Sequence, residues 1–434
     1  MRSKISIPGL TVMLAMSTVI ILLPATRASA QTEKVLFSFN VVDGWEPYAG
    51  LVFDSAGNLY GTTSQGGAFN YGNVFELKPT AGGGWEEYVI HTFNAAVNDG
   101  AEPLSNLIFD AKGNLYGTTG GGGEYVGGIA FELSPAADGS WRETVLHNFG
   151  TKHQKDGVGP SSNLIIDQVG NLYGTTATGG TGLCRDPSGI TITGCGTVFE
   201  LSPLAGGGWT EKVLYSFDAK QLGAGDLPSG LIFDAAGNLY STTQFSRPGE
   251  GNVFEFSHMA DGAWAGNILH TFFGLKYGFD PIAGLTIDAA GNLYGTTSAG
   301  GNPGCDEDCG AVFELMPSPG GGWLFKWLHG FANNGVDGYA PYSGLILDTA
   351  GNLYGTTTSG GTGCDGAGCG TVFELSPKAD GSWSEKVLYS FNDIDGSDGE
   401  VPYGSLVLDD LGNLYGTTRY GGAYNAGAVF EITP

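Results

Sequence analysis

The chain has 434 residues, with 18 Lys and Arg against 44 Asp and Glu, a formal charge of −26. So acidic a protein repels nucleic acid and anionic lipid, and its charge favours solubility, cations or neutral ligands. Gly 76 and Pro 19 together stay below the roughly 25–30% at which these residues signal disorder when they lack a period, and here the glycines are periodic.

Residues 1–30 read as a secretory signal peptide. Arg2 and Lys4 precede an apolar run from about Leu10 to Leu23, and Ala28-Ser29-Ala30 offers a small-residue cleavage site. A membrane anchor is the alternative, but the run contains Thr11, Ser17 and Thr18 and falls short of the roughly 20 residues a span needs. Cleavage would make Gln31 the first residue and remove Arg2, Lys4 and Arg27, leaving 15 basic against 44 acidic residues, a charge of −29.

From residue 31 onward one unit repeats. Gly-Asn-Leu-Tyr recurs at Gly57, Gly113, Gly170, Gly237, Gly291, Gly351 and Gly412, and a period of this length replaces a search for separate domains with a search for one repeated element. Each unit holds four short apolar segments rich in β-branched and aromatic residues. In the first unit these are Leu51 to Asp54, Asn58 to Thr63, Val74 to Leu77 and Trp85 to Phe93. Asp-x-x-Gly-Asn closes the first and second into a hairpin, the Asp carboxylate bonding local N–H groups. A Pro followed by Gly-rich or Asp-Gly residues, as in Pro203 to Gly208, joins the third and fourth.

The seventh unit ends after its third segment, at Pro434. Glu33-Lys34-Val35-Leu36-Phe37-Ser38-Phe39 matches the fourth segment Glu385-Lys386-Val387-Leu388-Tyr389-Ser390-Phe391. The missing strand therefore stands at the other end of the chain. This predicts an all-β, seven-bladed β-propeller over residues 31–434, its ring closed by the N-terminal strand in the last blade. An open solenoid is the lesser alternative, since it would need capping repeats.

In such a ring the tight hairpins share one face, while the loops between second and third strands and between blades share the other. The second set varies more and is expected to carry function. The second-to-third loops of repeats three, five and six are long and hold the six cysteines, as Cys184 with Cys195, Cys305 with Cys309 and Cys364 with Cys369. In an exported chain these read as disulfides within each loop. A metal site is the competing reading, but no His lies near any pair.

The inter-blade loops carry Asp-Gly-x-x-Pro, supplying Asp43, Asp99, Asp156, Asp337 and Asp398, with Asp226 and Asp280 as relics in repeats four and five. Seven Asp on one face would form an acidic ring at the channel mouth, able to hold a cation such as calcium or to bond sugar hydroxyls. Turn chemistry is the simpler account of residues repeated in every unit. The aromatics that differ between units, Trp45, Tyr48, Tyr277, Phe279, Tyr339, Tyr342 and Tyr403, suit stacking on sugar rings, with a hydrophobic rim as the alternative.

Catalytic machinery is not evident. His91, His147, His270 and His329 occupy a place where other units carry Phe37, Tyr215 and Tyr389, so they read as packing residues with a polar tip. No His pair has metal-ligand spacing, and no nucleophile elbow or phosphate loop is present. The seven Glu of the third strand, Glu76 through Glu431, read as partnered structural carboxylates. Acid pairs for glycoside chemistry remain open, because any two carboxylates can meet in the folded ring.

The tandem Gly-Asn-Leu-Tyr-Gly-Thr-Thr, the Gly-Gly after it and Val-Phe-Glu-Leu-x-Pro resemble the Gloeo/Verruco (GloVer) repeat of bacterial surface proteins. The resemblance covers essentially the whole chain after the signal and implies an exported protein without an assigned activity. The family is noted for C-terminal anchors, whereas this sequence ends at Pro434, favouring a released or periplasmic product. Repeat four departs from the pattern, with Ser241 for Gly and Gln244 to Gly251 in place of the Gly-Gly loop. A more distant similarity joins Asp-x-x-Gly-Asn-Leu-Tyr to NHL-type and streptogramin-lyase-like propellers, and carries only the fold. The expectation is a monomeric binding protein for an extracellular glycan or protein, with a polysaccharide lyase or glycoside hydrolase and a structural surface scaffold as the rivals.

Overall fold

The computed structural model describes residues 32–434 except 152–153, 186–190, 219–225, 246–249, 275, 303, 306–308, 365–367 and 394. The expected signal segment 1–30 lies outside the described residues. Seven antiparallel sheets of four or five strands follow one another along the chain, with three two-stranded ribbons in the loops, and no α-helix occurs among the described residues.

The first blade sets the pattern with strands Val52–Phe53, Leu59–Thr63, Asn73–Pro79 and Trp85–Thr92, paired in sequence order. Period-two alternation faces Leu59 with Leu77 and Tyr60 with Glu76, so apolar and polar rows stay separate. Every third-to-fourth pairing carries a register shift just before the third-strand Phe, as between Val74 and Phe75, and such a bulge adds twist. The seventh blade has three strands from the chain's end, and its fourth is Thr32–Ser38, antiparallel to Ala428–Thr433. The ring is closed as the sequence predicts.

The Asp-x-x-Gly-Asn turn shows why its residues recur. Asp54 Oδ1 accepts the Ala56 and Asn58 N–H groups at 2.8 and 2.9 Å, and Oδ2 accepts Asn58 Nδ2 at 2.8 Å. The Tyr60 hydroxyl lies between Asp54 Oδ2, at 3.3 Å, and Glu76 Oε1, at 2.6 Å. Asp409, Asn413, Tyr415 and Glu431 repeat the arrangement in the last blade. Glu76, Glu255, Glu314 and Glu431 are thus partners of buried tyrosines, while Glu132, Glu200 and Glu374 accept from Ser134, Ser202 and Ser376; burial together with the neighbouring carboxylates pushes the Tyr60 phenol well above its ordinary range.

Apolar burial is divided into seven clusters, each between two neighbouring blades. At every junction the last aromatic of one blade meets the third-strand Phe of the next. Phe39 meets Phe75, Phe93 meets Phe131, Phe149 meets Phe199, Phe217 meets Phe254, Phe272 meets Phe313, Phe331 meets Phe373 and Phe391 meets Phe430, with centroids 4.9–5.6 Å apart. Such pairs contribute roughly 0.5–1.5 kcal/mol beyond their area burial. The longest separation, Phe217 to Phe254 at 5.6 Å, falls in blade four, where Ser241 replaces the second-strand Gly and Phe256 replaces a Leu. Phe254 and Phe256 stack there at 6.0 Å, a packing the other blades do not use.

Nearest the axis, the residues just before each first strand touch their counterparts in the next blade. Gly50 N donates to Asn106 Oδ1 at 2.6 Å and Asn106 N to Asn163 Oδ1 at 2.8 Å. Gly230, Gly284, Gly344 and Gly404 continue the circle through close backbone approaches, and Thr417 Oγ1 donates to Ala49 O at 2.8 Å where the ends of the chain meet.

The close packing makes a prediction at Gly355. A Cβ there would lie 2.7 Å from Phe373 Cζ and 2.9 Å from Leu345 Cδ2, so Gly355→Ala is expected to destabilise the protein by about 1–3 kcal/mol. Urea unfolding followed by tryptophan fluorescence measures this; an unchanged midpoint would show that the junction has slack.

Candidate functional site at the channel mouth

Both variable loop sets lie on one face, and backbone pairing ties them together. In each blade the inter-blade loop pairs with the end of the second strand, Trp45 with Gln65, Ala101 with Gly121, Val158 with Thr178, Asp226 with Phe245, Phe279 with Ala299, Tyr339 with Ser359 and Glu400 with Tyr420. The residue before each loop proline is held left-handed, with φ between 54° and 59° at Glu46, Glu102, Leu227, Asp280, Ala340 and Val401. Non-glycine residues adopt this conformation at a cost of roughly 1–3 kcal/mol. It lets their N–H groups reach the preceding blade: Glu46 N donates to Ala426 O at 3.2 Å, Ala340 N to Cys309 O at 2.9 Å and Val401 N to Cys369 O at 2.9 Å.

The disulfides pair as the sequence predicts, Cys184 with Cys195, Cys305 with Cys309 and Cys364 with Cys369. In each the second Cys is buried and joins an inter-blade cluster, so the long loop is pinned to the core. Among the described residues no helix is long and apolar enough to cross a membrane.

Three of the loop aromatics converge. Tyr48, Tyr342 and Tyr403 each sit one or two residues before the innermost circle, on the consecutive blades one, six and seven. Tyr48 and Tyr403 meet edge to face at 4.9 Å, and Tyr342 and Tyr403 are tilted together at 5.1 Å. Burial, with the two neighbouring phenols, pushes Tyr403 up to about 12, which keeps its hydroxyl a donor at neutral pH. The Arg419 guanidinium lies 4.5 Å from the Tyr48 ring centroid and 4.6 Å from that of Tyr420, and its Nη2 is 3.3 Å from Glu46 Oε2. The mouth thus presents an arc of phenols beside a guanidinium–carboxylate pair on one side of the ring.

Other predicted positions lie elsewhere. Trp45 is half-buried and packs on the cluster between blades seven and one. Tyr277 is exposed, with Lys276 Nζ 4.8 Å from its ring centroid. Tyr339 lines a separate hollow of about 400 Å³ with Asn302, Cys305, Asn333 and Asn334. Asp280, pushed up to about 6 by burial and by Glu250, stands apart from the tyrosine arc.

Asp43, Asp99, Asp156, Asp337 and Asp398 face the outermost strand rather than the mouth. Each accepts an N–H at the start of its own loop, as Asp99 from Asn94 at 2.9 Å, Asp337 from Ala332 at 2.9 Å and Asp398 from Asn392 at 2.8 Å, while Asp43 accepts from Asn40 at 2.7 Å. Four of them also meet the third-from-last residue of the preceding fourth strand. His147 Nε2 is 3.0 Å from Asp156 Oδ2, and the Tyr389 hydroxyl donates to Asp398 at 2.8 Å; His91 and His329 lie 3.4 Å from Asp99 and Asp337. His270 instead stacks on Phe325 at 4.2 Å, and burial lowers it to about 4.

Sequence reasoning passed over Glu46, Arg419 and the carboxylates two residues into the fourth strands. Arg419 was detectable, since the six equivalent positions hold Ser64, Gly120, Ala177, Gln244, Ser298 and Thr358. The fourth-strand Glu residues meet their partners only across blade boundaries.

This fold defines a seven-bladed β-propeller whose variable loops gather on one face. The chain belongs to the Gloeobacter/Verrucomicrobia repeat family, whose model matches residues 18–254, 143–304 and 227–434. No curated protein sequence matches it. Among solved structures it is similar to a candidate 6-phosphogluconolactonase from Bacteroides uniformis, at TM-score 0.51 and 12% identity over 83% of this chain and 88% of that one. It is also similar to an ancestral GH74 enzyme, at TM-score 0.57 and 11% identity over 90% of this chain and 48% of that one. Likeness at this level of identity carries the fold alone.

The fourth-strand carboxylates give a pH prediction. Burial, then Asp398 and Asp43 respectively, raises Glu33 and Glu87 to about 7; Glu211 reaches about 7 by burial and Asp156, against His147. A folded-state value above the unfolded one means that the native chain binds the extra proton. Stability from these groups is therefore full below the unfolded value near 4.5 and declines as pH rises towards 7. Thermal melts in EDTA should fall across that window, and the combined Glu33→Gln, Glu87→Gln and Glu211→Gln variant should fall less; parallel curves would refute the assignment.

Proposed function

We propose that the protein is an exported binding protein that takes an extracellular glycan at the channel mouth, through Tyr48, Tyr342 and Tyr403 with Arg419 and Glu46. The observation that carries this reading is the meeting of three phenol rings from three blades beside a charged pair. Aromatic faces suit the apolar C–H surface of a sugar ring. The guanidinium, the carboxylate and the phenol hydroxyls offer fixed donors and acceptors for its hydroxyls. Three disulfides fit an oxidising compartment, outside the cell or in the periplasm. The strong negative charge favours a neutral or cationic glycan over an anionic one. Asp280, Tyr277 and the Tyr339 hollow are secondary contacts for an extended ligand.

The test is retention of the mature protein on a panel of immobilised polysaccharides, with reducing and unsaturated ends assayed in the same samples. Retention without new ends is expected. New ends would replace the binding reading with a hydrolase or lyase, and neither result would leave a scaffold. Tyr403→Ala and Arg419→Ala are each expected to weaken retention about tenfold or more, equivalent to about 1.4 kcal/mol, with circular dichroism confirming that each variant is folded at the temperature of the assay. Wild-type retention by both variants would remove the mouth from consideration.

A further inference from the structure

The same three places meet at each blade junction: the third-from-last residue of one fourth strand, the Asp of the following loop and the third residue of the next fourth strand. At two junctions they are filled by His, Asp and Glu. His91, Asp99 and Glu143 lie between blades one and two, and His329, Asp337 and Glu385 between blades five and six, each set with its donor atoms within 4.8 Å of one another.

We propose that these two triads are inter-blade binding sites for a divalent transition-metal cation of the zinc class. The spacing is the first argument. His91 Nε2 is 3.4 Å from Asp99 Oδ2 and 3.7 Å from Glu143 Oε1, and His329 Nε2 is 3.4 Å from Asp337 Oδ2. Those separations exceed the roughly 2.7–3.2 Å of an N–H···O hydrogen bond. The two His–Asp separations match the spacing of about 3.3–3.6 Å between donors set tetrahedrally around a metal with bonds of about 2.0–2.2 Å, and the His91–Glu143 separation lies just beyond it.

Unpartnered polar atoms are the second argument. His91 Nε2, Glu143 Oε1, His329 Nε2 and Glu385 Oε1 are buried without a hydrogen-bond partner, as is Oδ1 of Asp337, a residue only 9% exposed. Buried polar atoms ordinarily find partners. A cation would satisfy them together, and its two positive charges would offset the two carboxylates beside a neutral imidazole.

The other junctions provide the contrast. Between blades two and three the same residue types draw in to a His147–Asp156 contact of 3.0 Å, so Asp156 Oδ1 and Glu211 Oε1 stay unpartnered there too but the imidazole does not. Between blades four and five Phe325 stands in place of the Glu and His270 stacks on it. Tyr389 and Phe37 fill the His place at the junctions that include blade seven. Among the described residues only the two named triads bring three such donors together. Imidazole with carboxylates favours zinc and its neighbours over calcium, which takes six to eight oxygens. Three protein donors leave a fourth position for water, and each ion would join two blades.

The test uses the mature protein, stripped with EDTA, dialysed and titrated with ZnCl2 by calorimetry, with bound metal counted by mass spectrometry. Two zinc ions per chain are expected, with a higher melting temperature that EDTA reverses. His91→Asn and His329→Asn should each lower the count to one and the double variant to none, whereas His147→Asn should leave two. Circular dichroism separates loss of binding from loss of fold. Glu143→Gln, which keeps the side-chain volume, should weaken zinc binding at its site at least tenfold. Binding of fewer than one zinc per folded chain, a count of two that survives the double variant, or calcium binding in preference to zinc would each overturn the proposal.

Discussion

The contact on which the ring depends is the meeting of two phenylalanines across each blade boundary. A four-stranded sheet is apolar on both faces and cannot bury either alone, so each blade relies on its neighbours. The seven pairs, six edge-on and Phe149–Phe199 tilted, are where that dependence is settled. The second-strand glycines exist because a Cβ there would strike the third-strand Phe. The bulge before that Phe and the Tyr wedged between Asp and Glu fix its strand in register. Blade four shows the rule by its exception, since Ser241 is accommodated only with a second Phe and a longer junction contact.

That architecture assigns the loudest and quietest parts of the sequence to different duties. The Gly-Asn-Leu-Tyr motif closes a hairpin with four hydrogen bonds to one Asp and faces away from the variable loops. The mouth is marked by residues that break the repeat: tyrosines on three consecutive blades, an arginine where six counterparts are neutral, and disulfides in three loops. Departures are concentrated where no neighbouring blade demands a particular side chain.

The fold was legible because it is written seven times. Strand number, hairpin chemistry and ring closure follow from local signals repeated every 54 to 67 residues, disulfide pairing follows from the closeness of each cysteine pair, and the matching of Glu33 to Phe39 with Glu385 to Phe391 needed only alignment of the chain with itself. Tyr48, Tyr342 and Tyr403 could be singled out as variable aromatics, although their convergence depends on which blades are adjacent in the ring. Trp45 could not be told from an exposed ring, because the cluster it packs on joins residues from both ends of the sequence. The carboxylates of the inter-blade loops look alike in sequence. Their direction, towards the outermost strand, is set by N–H groups left free where the preceding strand ends.

The closing strand has a consequence for how the protein comes to be folded. Thr32 pairs with Thr433 and Ser38 with Ala428, so an early segment waits for one made about 390 residues later. Blades one to six can each form from contiguous chain, but the seventh joins residues separated by almost the entire sequence, and closing so large a loop is entropically unfavourable and slow. Until it forms, Ala428–Thr433 and Thr32–Ser38 are open edges available to other chains. The latch therefore bears on time as well as shape: the ring cannot close until both of its strands have been made.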